Sequence, residues 1–573
     1  MSGNHQPKSD AFRRHRLLSW DDVELAVNQF LDFLKDRFSI IKNIQQLLRC
    51  FFCLLCFRSP FAIVIPRYYV RNEVGDDSSP TTNVQKALVK RIAREETMPK
   101  RQRPSDFKEL HFKPLLEVAA LLQNQDISSV ELTQSLLKRI ASLDGRQKSY
   151  ATVMADQALA AAEQADQELA EGKSRGPLHG IPIAVKDLCF TKGIRTMGGA
   201  AVLADHIPHE DATVVTRLAE AGAVLLGKLN LTEGAMGGYH PHFEIPLNPW
   251  NPGVWSGASS SGSGVATAAG LAYGTLGSDT GGSIRFPAAA CGVVGLKPTW
   301  GRVSRYGVLA LAESLDHVGP LTRSTADAAV MLQAIAGHDP KDPTSLPVPV
   351  PDMLKNLNAG VKGVRIGFDE QGMGQHTDAE LAEAIASGVR VLEQLGAEVI
   401  KIQFPDLDEF LPAWPTLCSA EAVLAHEATY PSRCEEYGPW FRGWLDMGAK
   451  VSGAEYARAN NLRAACNGRF REIFETIDVL ACPSMPGPPF PVTPEKSYGP
   501  MDEYAPSLQR FTIPFDFNGT PTLSVPCGFN QDGLPLSLQF VGHPLREPLL
   551  CQVGHAYEQA TEWHTLRPNL EEG

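Results

Sequence analysis

Two short stretches rich in serine and glycine decide what this chain can fold into. Residues 256–264 read SGASSSGSG, and residues 277–285 read GSDTGGSIR. A serine and glycine run in isolation is typical of a flexible linker, but here an alanine-rich stretch that favours a helix, 265–271, follows the first run. A helix that begins just past Gly264 leaves its first N–H groups unpaired in the loop. The pattern therefore predicts a loop built for close approach rather than a linker.

The second stretch carries a candidate nucleophile, Ser283, directly after Gly281 and Gly282. Residues without a Cβ atom let a substrate carbonyl approach the backbone N–H groups. Such N–H groups can form an oxyanion hole, in which each donor typically contributes about 3–4 kcal/mol to stabilising the tetrahedral transition state. The Gly-Gly-Ser sequence therefore favours a serine nucleophile beside an oxyanion hole.

A serine nucleophile needs a base that takes its proton. The chain has 15 histidines, but neither Ser259 nor Ser283 lies in a G-x-S-x-G elbow, which disfavours a Ser-His-Asp triad. A lysine can act as the base when burial lowers its pKa. Lys186 follows the apolar run 181–185 and is the candidate, with a water-facing lysine at a strand end as the alternative interpretation.

Helical and extended patterns alternate along the chain, which is typical of α/β layers. A helix is predicted from residue 113, and the capping box at 128–131 opens a second one. Further helices are predicted at 154–170, 212–221 and 379–395. Strands are predicted at 181–185, 223–226, 364–368, 397–402, 522–525 and 536–541. The predicted fold class is therefore α/β.

Four stretches together resemble the amidase signature family from about residue 105 to the C-terminus. They are GIPIAVKD (180–187), SGASSSGSG (256–264), GSDTGGSIRFPAAACGVVGLKPTWGRVSRYGV (277–308) and GTPTLSVPCG (519–528). The resemblance implies the fold of that family, a large mixed β-sheet sandwiched between α-helices. The family places its bridging serine 24 residues before the nucleophile, and here 283 − 259 = 24. Ser261 is a departure, because members often have glycine there.

The resemblance also implies a mechanism. Ser283 attacks the carbonyl carbon, Ser259 relays its proton, and neutral Lys186 is the ultimate base, with no metal and no cofactor. The oxyanion-hole amides are expected from Thr280, Gly281 and Gly282. Asp279 and Arg285 are expected to hold the loop through a buried network rather than to react. All three triad positions are filled, which disfavours the alternative of a non-catalytic binding protein.

The substrate is the least determined part of the expectation. The family includes general amidases, fatty-amide hydrolases and the glutaminase subunit of a tRNA-dependent amidotransferase. That last branch usually carries an acidic residue just before an F-T-x-P segment, where this chain has Gln509 or Arg510, so a free-standing amidase acting on a small-molecule carboxamide is favoured. Four of the aromatic residues in 411–450 either shape an apolar acyl pocket or form plain core: Trp414, Trp440, Phe441 and Trp444.

Composition limits the partners and the compartment. The formal net charge of −12 disfavours a nucleic-acid partner, because such proteins usually present a basic face. Eleven scattered cysteines indicate free thiols and a cytoplasmic protein. The run at Cys50, Cys53 and Cys56 lacks the second ligand pair of a zinc site. A homo-oligomer is compatible with the sequence.

The N-terminal region differs from the rest of the chain. It begins with polar residues, and its apolar patch at 51–65 is interrupted by Arg58 and Pro60, so each half is too short for a spanning helix of roughly 20 residues. A membrane-associated fatty-amide hydrolase is the alternative that uses this patch as an anchor. We predict an extension at 1–105, partly disordered or helical and of unknown function, and a catalytic domain at 106–573.

Overall fold

The computed structural model describes residues 107–502, 504 and 506–570. Predictions for the N-terminal extension, including its cysteines and its apolar patch, lie outside these residues. Within them, eleven strands form one sheet. In chain order the strands are β1 (Tyr150–Val153), β2 (Pro182–Lys186), β3 (Val224–Leu229), β4 (Gly274–Asp279), β5 (Val294–Lys297), β6 (His317–Thr322), β7 (Arg365–Phe368), β8 (Glu398–Lys401), β9 (Val479–Pro483), β10 (Thr522–Phe529) and β11 (Pro535–Gly542).

The sheet is mixed, as expected. Its strand order is β1-β3-β2-β4-β6-β5-β10-β11-β9-β7-β8. The pairs β2/β3, β2/β4, β7/β8 and β7/β9 are parallel. The remaining neighbours are antiparallel. Strands β2 and β4 are therefore adjacent and parallel, so the loops that follow them leave the sheet at the same edge.

Helices lie between the strands along the chain. Their bounds are α1 (Phe107–Leu110), α2 (Leu115–Gln123), α3 (Ser129–Gln147), α4 (Ala155–Ala170), α5 (Thr213–Glu220), α6 (Ser261–Ala268), α7 (Arg285–Cys291), α8 (Thr325–Ile335), α9 (Glu370–Gly374), α10 (Ala379–Gln394), α11 (Ala413–Ala425), α12 (Pro439–Gly448), α13 (Gly453–Phe474), α14 (Pro494–Tyr498), α15 (Ile513–Phe517) and α16 (Glu547–Gln559). The α/β fold class is confirmed, and so is the capping box of α3, in which Ser128 and Glu131 exchange hydrogen bonds.

Helix α6 corrects one prediction. It begins at Ser261, inside the serine and glycine run, and not past Gly264. The reason is packing: a Cβ atom on Gly262 would lie 2.5 Å from the backbone oxygens of both Asn230 and Ser149. The glycine is therefore required by a close contact with neighbouring segments, and the run is the buried first turn of a helix.

Candidate active site

Lys186 is the last residue of β2, and its side chain is 0% exposed. The strand is buried along its whole length between β3 and β4. The Nζ atom lies 2.6 Å from Ser259 Oγ and 2.8 Å from Ser278 Oγ. Burial lowers the pKa of Lys186 to about 7, because desolvation disfavours the ammonium form. The lysine thus faces hydroxyl groups inside the protein and not water.

Ser259 lies in the loop that leads into α6, after a cis peptide bond between Ala258 and Ser259. Its carbonyl oxygen accepts a hydrogen bond from the Thr232 amide at 3.3 Å. The next residue, Ser260, is tied to β4, because its hydroxyl accepts from the Ser278 amide at 3.2 Å and lies 3.2 Å from the Ser278 carbonyl oxygen. These contacts place the Ser259 hydroxyl against the end of β2.

Ser283 lies between β4 and α7, is half-buried, and faces a cavity of about 120 Å³. Ala258, the neighbour of Ser259, lines the same cavity. No hydrogen bond joins Ser283 to Ser259 or Lys186 in the described part of the chain. The structure therefore brings Lys186 and Ser259 into direct contact and places Ser283 at the adjoining cavity.

Asp279 and Arg285 hold the loop that carries Ser283. The Asp279 carboxylate accepts hydrogen bonds from the amides of Gly282 at 2.7 Å and Ile284 at 2.8 Å, and from Arg285 Nη2 at 2.7 Å. Arg285 Nη2 also donates to Asp516 Oδ2 at 2.6 Å. Burial would raise the pKa of Asp279, but Arg285 outweighs it and holds that pKa below its usual range. Both residues thus have the loop-holding contacts expected of them.

The peptide groups before Ser283 are individually anchored. The Thr280 carbonyl accepts from Trp414 Nε1 at 2.9 Å, and the Gly281 carbonyl accepts from Thr512 Oγ1 at 2.7 Å. The Gly282 amide is engaged by Asp279. Of the three amides expected to form an oxyanion hole, this leaves those of Thr280 and Gly281, which donate no hydrogen bond within the described residues.

The Ser283 cavity is walled largely by apolar and aromatic side chains. Its lining includes Met236, Trp255, Phe286, Leu311, Trp414, Tyr504, Leu508 and Gln509. Trp414 is thus a wall of the cavity, whereas Trp444 belongs to the core. The centroids of the two rings lie 5.8 Å apart. Phe441 packs against Gly234, and Trp440 against Gly237 and Gly238. The aromatic segment therefore supplies both a cavity wall and core.

A second cavity, of about 350 Å³, shares Thr280 with the lining of the Ser283 cavity. Ser278 and Thr280 line it together with Asp316 and charged groups nearer the surface, including Arg305 and Lys341. Thr280 Oγ1 donates to Asp316 Oδ1 at 2.5 Å. Burial raises the pKa of Asp316 to about 6. Ser278, which lines this polar cavity, is also a hydrogen-bond partner of Lys186.

Sequence reasoning did not single out Ser278 or Asp516. Ser278 stands within the quoted GSDTGGSIR stretch, but its contact with Lys186 depends on β4 being the neighbour of β2, which spacing alone does not reveal. Asp516 lies 231 positions from Arg285 along the chain. No local signal pairs the two.

The described residues contain neither a candidate metal site nor a candidate membrane-spanning helix. No group of three or more His, Cys, Asp and Glu side chains is placed to hold a metal ion there. Among the helices of those residues, none is both long enough and apolar enough to cross a membrane.

Comparison with known proteins assigns the family. The amidase family model matches residues 131–551. The chain belongs to the amidase signature family. This amidase is 45% identical over 456 residues to the protein AmiD of Mycobacterium tuberculosis, an alignment that covers 79% of this chain and 95% of the relative. It is 43% identical over 487 residues to a subunit of the glutamyl-tRNA(Gln) amidotransferase of Moorella thermoacetica, covering 81% of this chain and 99% of the relative.

A solved structure of an amidase resembles the fold of this chain. The structure of the peptide amidase from Stenotrophomonas maltophilia superposes on the amidase with a TM-score of 0.70 at 31% sequence identity. The superposition covers 78% of this chain and 97% of the peptide amidase. The expected architecture, a large mixed sheet with helices, is therefore confirmed, and the chain is an amidase, a hydrolase of carbon–nitrogen bonds.

Proposed function

We propose that this enzyme hydrolyses the carboxamide of a small molecule to an acid plus ammonia or an amine, with Ser283 as nucleophile, Ser259 as proton relay and Lys186 as base. One observation carries the proposal: a fully buried lysine lies 2.6 Å from the hydroxyl of Ser259. A lysine in contact with a hydroxyl can take that proton once it is neutral itself. Its neighbours therefore determine whether it can serve as a base.

Burial supplies the neutral lysine. With a pKa of about 7, a large share of Lys186 side chains carries no proton at neutral pH. The two nearest partners are the hydroxyls of Ser259 and Ser278, which do not hold the ammonium form as a carboxylate would. A base whose pKa lies near the working pH is also the most effective proton acceptor.

The first half of the reaction forms an acyl-enzyme. Ser283 Oγ bonds to the amide carbon while its proton passes to Ser259 Oγ, and the Ser259 proton passes to Lys186 Nζ. The amides of Thr280 and Gly281, which no protein group occupies among the described residues, stabilise the oxyanion. The lysine then returns its proton through Ser259 to the amide nitrogen, the carbon–nitrogen bond breaks, and ammonia or an amine leaves.

The second half releases the acid. Water bonds to the ester carbon of the acyl-enzyme and passes one proton along the same relay to Lys186. The tetrahedral intermediate collapses, the bond between Ser283 Oγ and carbon breaks, and Ser283 regains a proton from the relay. Substrate amide and water are thereby converted to acid and amine, and no proton or electron is left over.

The Ser283 cavity favours an apolar acyl group. Trp255, Phe286, Trp414 and Leu508 line it, and such walls bind aryl or branched aliphatic groups by burying apolar surface. The volume of about 120 Å³ suits a short group better than a long chain. Aryl amides are therefore the first substrates to test, with long-chain amides as the fatty-amide alternative.

A glutaminase-type component of an amidotransferase is the second candidate, because the Moorella relative is named as an amidotransferase subunit. The two candidates differ at Gln509, which lines the Ser283 cavity. Gln509 is neutral and cannot pair with the ammonium group of glutamine as an acidic residue would. Arg510 is instead paired with Asp408. These contacts favour a free-standing amidase.

The expected compartment remains the cytoplasm, and the expected partner remains a small amide. The cysteines in the described part of the chain are free thiols, which suits a reducing compartment. The acidic net charge of −12 continues to disfavour nucleic acid.

The test is release of ammonia or amine from acetamide, benzamide, decanamide and glutamine by the wild type and by Ser283→Ala and Lys186→Ala. We expect benzamide to be the best of the four and both variants to lose most of the rate. Activity that persists in Ser283→Ala contradicts the nucleophile. Turnover of glutamine alone favours the amidotransferase candidate.

A further inference from the structure

Trp414 contacts the nucleophile loop through its indole nitrogen as well as through its ring. It lies at the start of α11, is 1% exposed, and lines the Ser283 cavity. Its Nε1–H donates to the Thr280 carbonyl at 2.9 Å, across 134 positions of sequence. The ring also packs against Gly281, where a Cβ atom would lie 2.5 Å from Trp414 Cζ2. The indole therefore touches both residues of one peptide group.

The hydrogen bond from Trp414 to the Thr280 carbonyl fixes the direction of the Gly281 N–H. The peptide bond between Thr280 and Gly281 is not one of the cis bonds of the chain, and in a planar trans peptide the C=O and the following N–H point in opposite directions. The Thr280 carbonyl is directed at the indole, so the Gly281 N–H is directed away from it. No protein acceptor takes that N–H within the described residues.

The next peptide group, between Gly281 and Gly282, differs because both of its polar ends are hydrogen-bonded. Its carbonyl, that of Gly281, accepts from Thr512 Oγ1 at 2.7 Å, and its N–H, that of Gly282, donates to Asp279 at 2.7 Å. Both ends of that peptide are occupied by protein groups. The peptide held by Trp414 is occupied only at its carbonyl end, which leaves its N–H for a ligand.

We infer that Trp414 is a positioning residue for the oxyanion hole: its Nε1–H holds the Thr280–Gly281 peptide so that the Gly281 amide faces the carbonyl oxygen of a substrate on Ser283. The inference rests on the proposed acyl-enzyme mechanism and adds a residue to it. Trp414 touches the substrate only as a cavity wall, and its effect on the rate passes through the Gly281 amide. Oxyanion-hole donors act by being fixed before the charge develops.

The matched variants are Trp414→Phe and Trp444→Phe. Both replace a buried indole by a phenyl ring, and the two rings are neighbours, with centroids 5.8 Å apart. Only Trp414 loses a hydrogen bond, because Trp444 Nε1 has no partner among the described residues. The pair therefore separates loss of the indole N–H from loss of ring volume.

The measurements are kcat and KM for the amide of the panel that the wild type hydrolyses fastest, the inhibition constant of the aldehyde with the same acyl group, and the melting temperature. The aldehyde adds to Ser283 and forms an oxyanion, so it reports on the hole directly. For Trp414→Phe we expect kcat to fall between about 10- and 100-fold with KM little changed. We expect aldehyde affinity to fall in parallel. Trp444→Phe should keep the wild-type kcat and aldehyde affinity.

Wild-type kcat in a folded Trp414→Phe enzyme overturns the inference, and so does an equal loss of kcat in the two variants. If Trp414→Phe does not fold, 3-benzothienylalanine at position 414 removes the N–H and keeps the bicyclic ring. Failure of the proposed function has a different signature, either an inert wild type or an active Ser283→Ala variant.

Discussion

Lys186 and Lys228 lie on neighbouring strands, β2 and β3, and both side chains are 0% exposed. Lys228 Nζ lies 3.1 Å from Asp187 Oδ1 and 2.6 Å from Thr196 Oγ1. Lys186 instead contacts the hydroxyls of two serines. Burial lowers the pKa of both lysines. At Lys228 the Asp187 carboxylate opposes that shift through direct contact, whereas the carboxylates that oppose it at Lys186 are not in contact with Nζ. The comparison shows that the direct partner, and not burial, is what differs between Lys186, the proposed base, and Lys228.

Replacing Lys186 should separate the two roles most clearly. Lys186→Met keeps the volume of the side chain and removes the base, so we expect kcat to fall by about 1,000-fold or more. The melting temperature should stay near that of the wild type, because no buried carboxylate loses its partner. Steady-state kinetics with calorimetry on the same sample measures both. A variant that retains kcat would falsify Lys186 as the base.

Replacing Lys228 should produce the reverse pattern. Lys228→Met leaves Asp187 buried without its cation, which typically costs about 3–5 kcal/mol of unfolding free energy. The kcat of the folded fraction should remain close to that of the wild type, since Lys228 does not contact Ser259 or Ser283. Denaturant unfolding gives the stability, and the double variant Asp187→Asn/Lys228→Met should recover part of it. A loss of kcat as large as in Lys186→Met would place Lys228 in the proton relay.

The pH profile tests the same comparison without changing the site. The proposed base, Lys186, can accept a proton only when it is neutral, so kcat/KM should rise with pH through its pKa of about 7 and level off above it. On the acid side the fall should approach about tenfold per pH unit. The profile of Lys228→Met should match that of the wild type. If the acid limb of the profile moved in Lys228→Met and not in Ser278→Ala, the base would be Lys228 and not Lys186.

Two of the predicted site residues came from local sequence: Ser283 follows two glycines, and Lys186 follows an apolar run. Ser259 and the roles of all three residues came instead from the resemblance to the amidase signature family, whose spacing of 24 residues the chain keeps (283 − 259 = 24). The α/β fold class could also be predicted from local sequence, because helix and strand patterns alternate along the chain. What spacing could not provide is which segments meet across the sheet.

The central strands illustrate this limit. Strands β4 (GTLGSD) and β6 (HVGPLT) were not predicted, although β4 carries Ser278 and leads into the loop that carries Ser283. Glycine and proline weaken the strand signal, and continuous burial removes the alternation that marks a strand with one exposed face. Local sequence also cannot tell whether Trp414 is a pocket wall or core, because its hydrogen bond to Thr280 spans 134 positions.

Ser278→Ala should have the smallest effect and is the most informative about how Lys186 is held. The Ser278 hydroxyl lies 2.8 Å from Lys186 Nζ and can accept a hydrogen bond from the ammonium form. One such hydrogen bond contributes about 0.5–1.5 kcal/mol, so kcat should fall about 2- to 10-fold and the acid limb should move to lower pH. The matched control is Thr196→Val, which removes the hydroxyl 2.6 Å from Lys228 and should leave the limb in place. A loss of 1,000-fold would instead make Ser278 a member of the proton relay, because an accessory acceptor contributes only the energy of its own hydrogen bond.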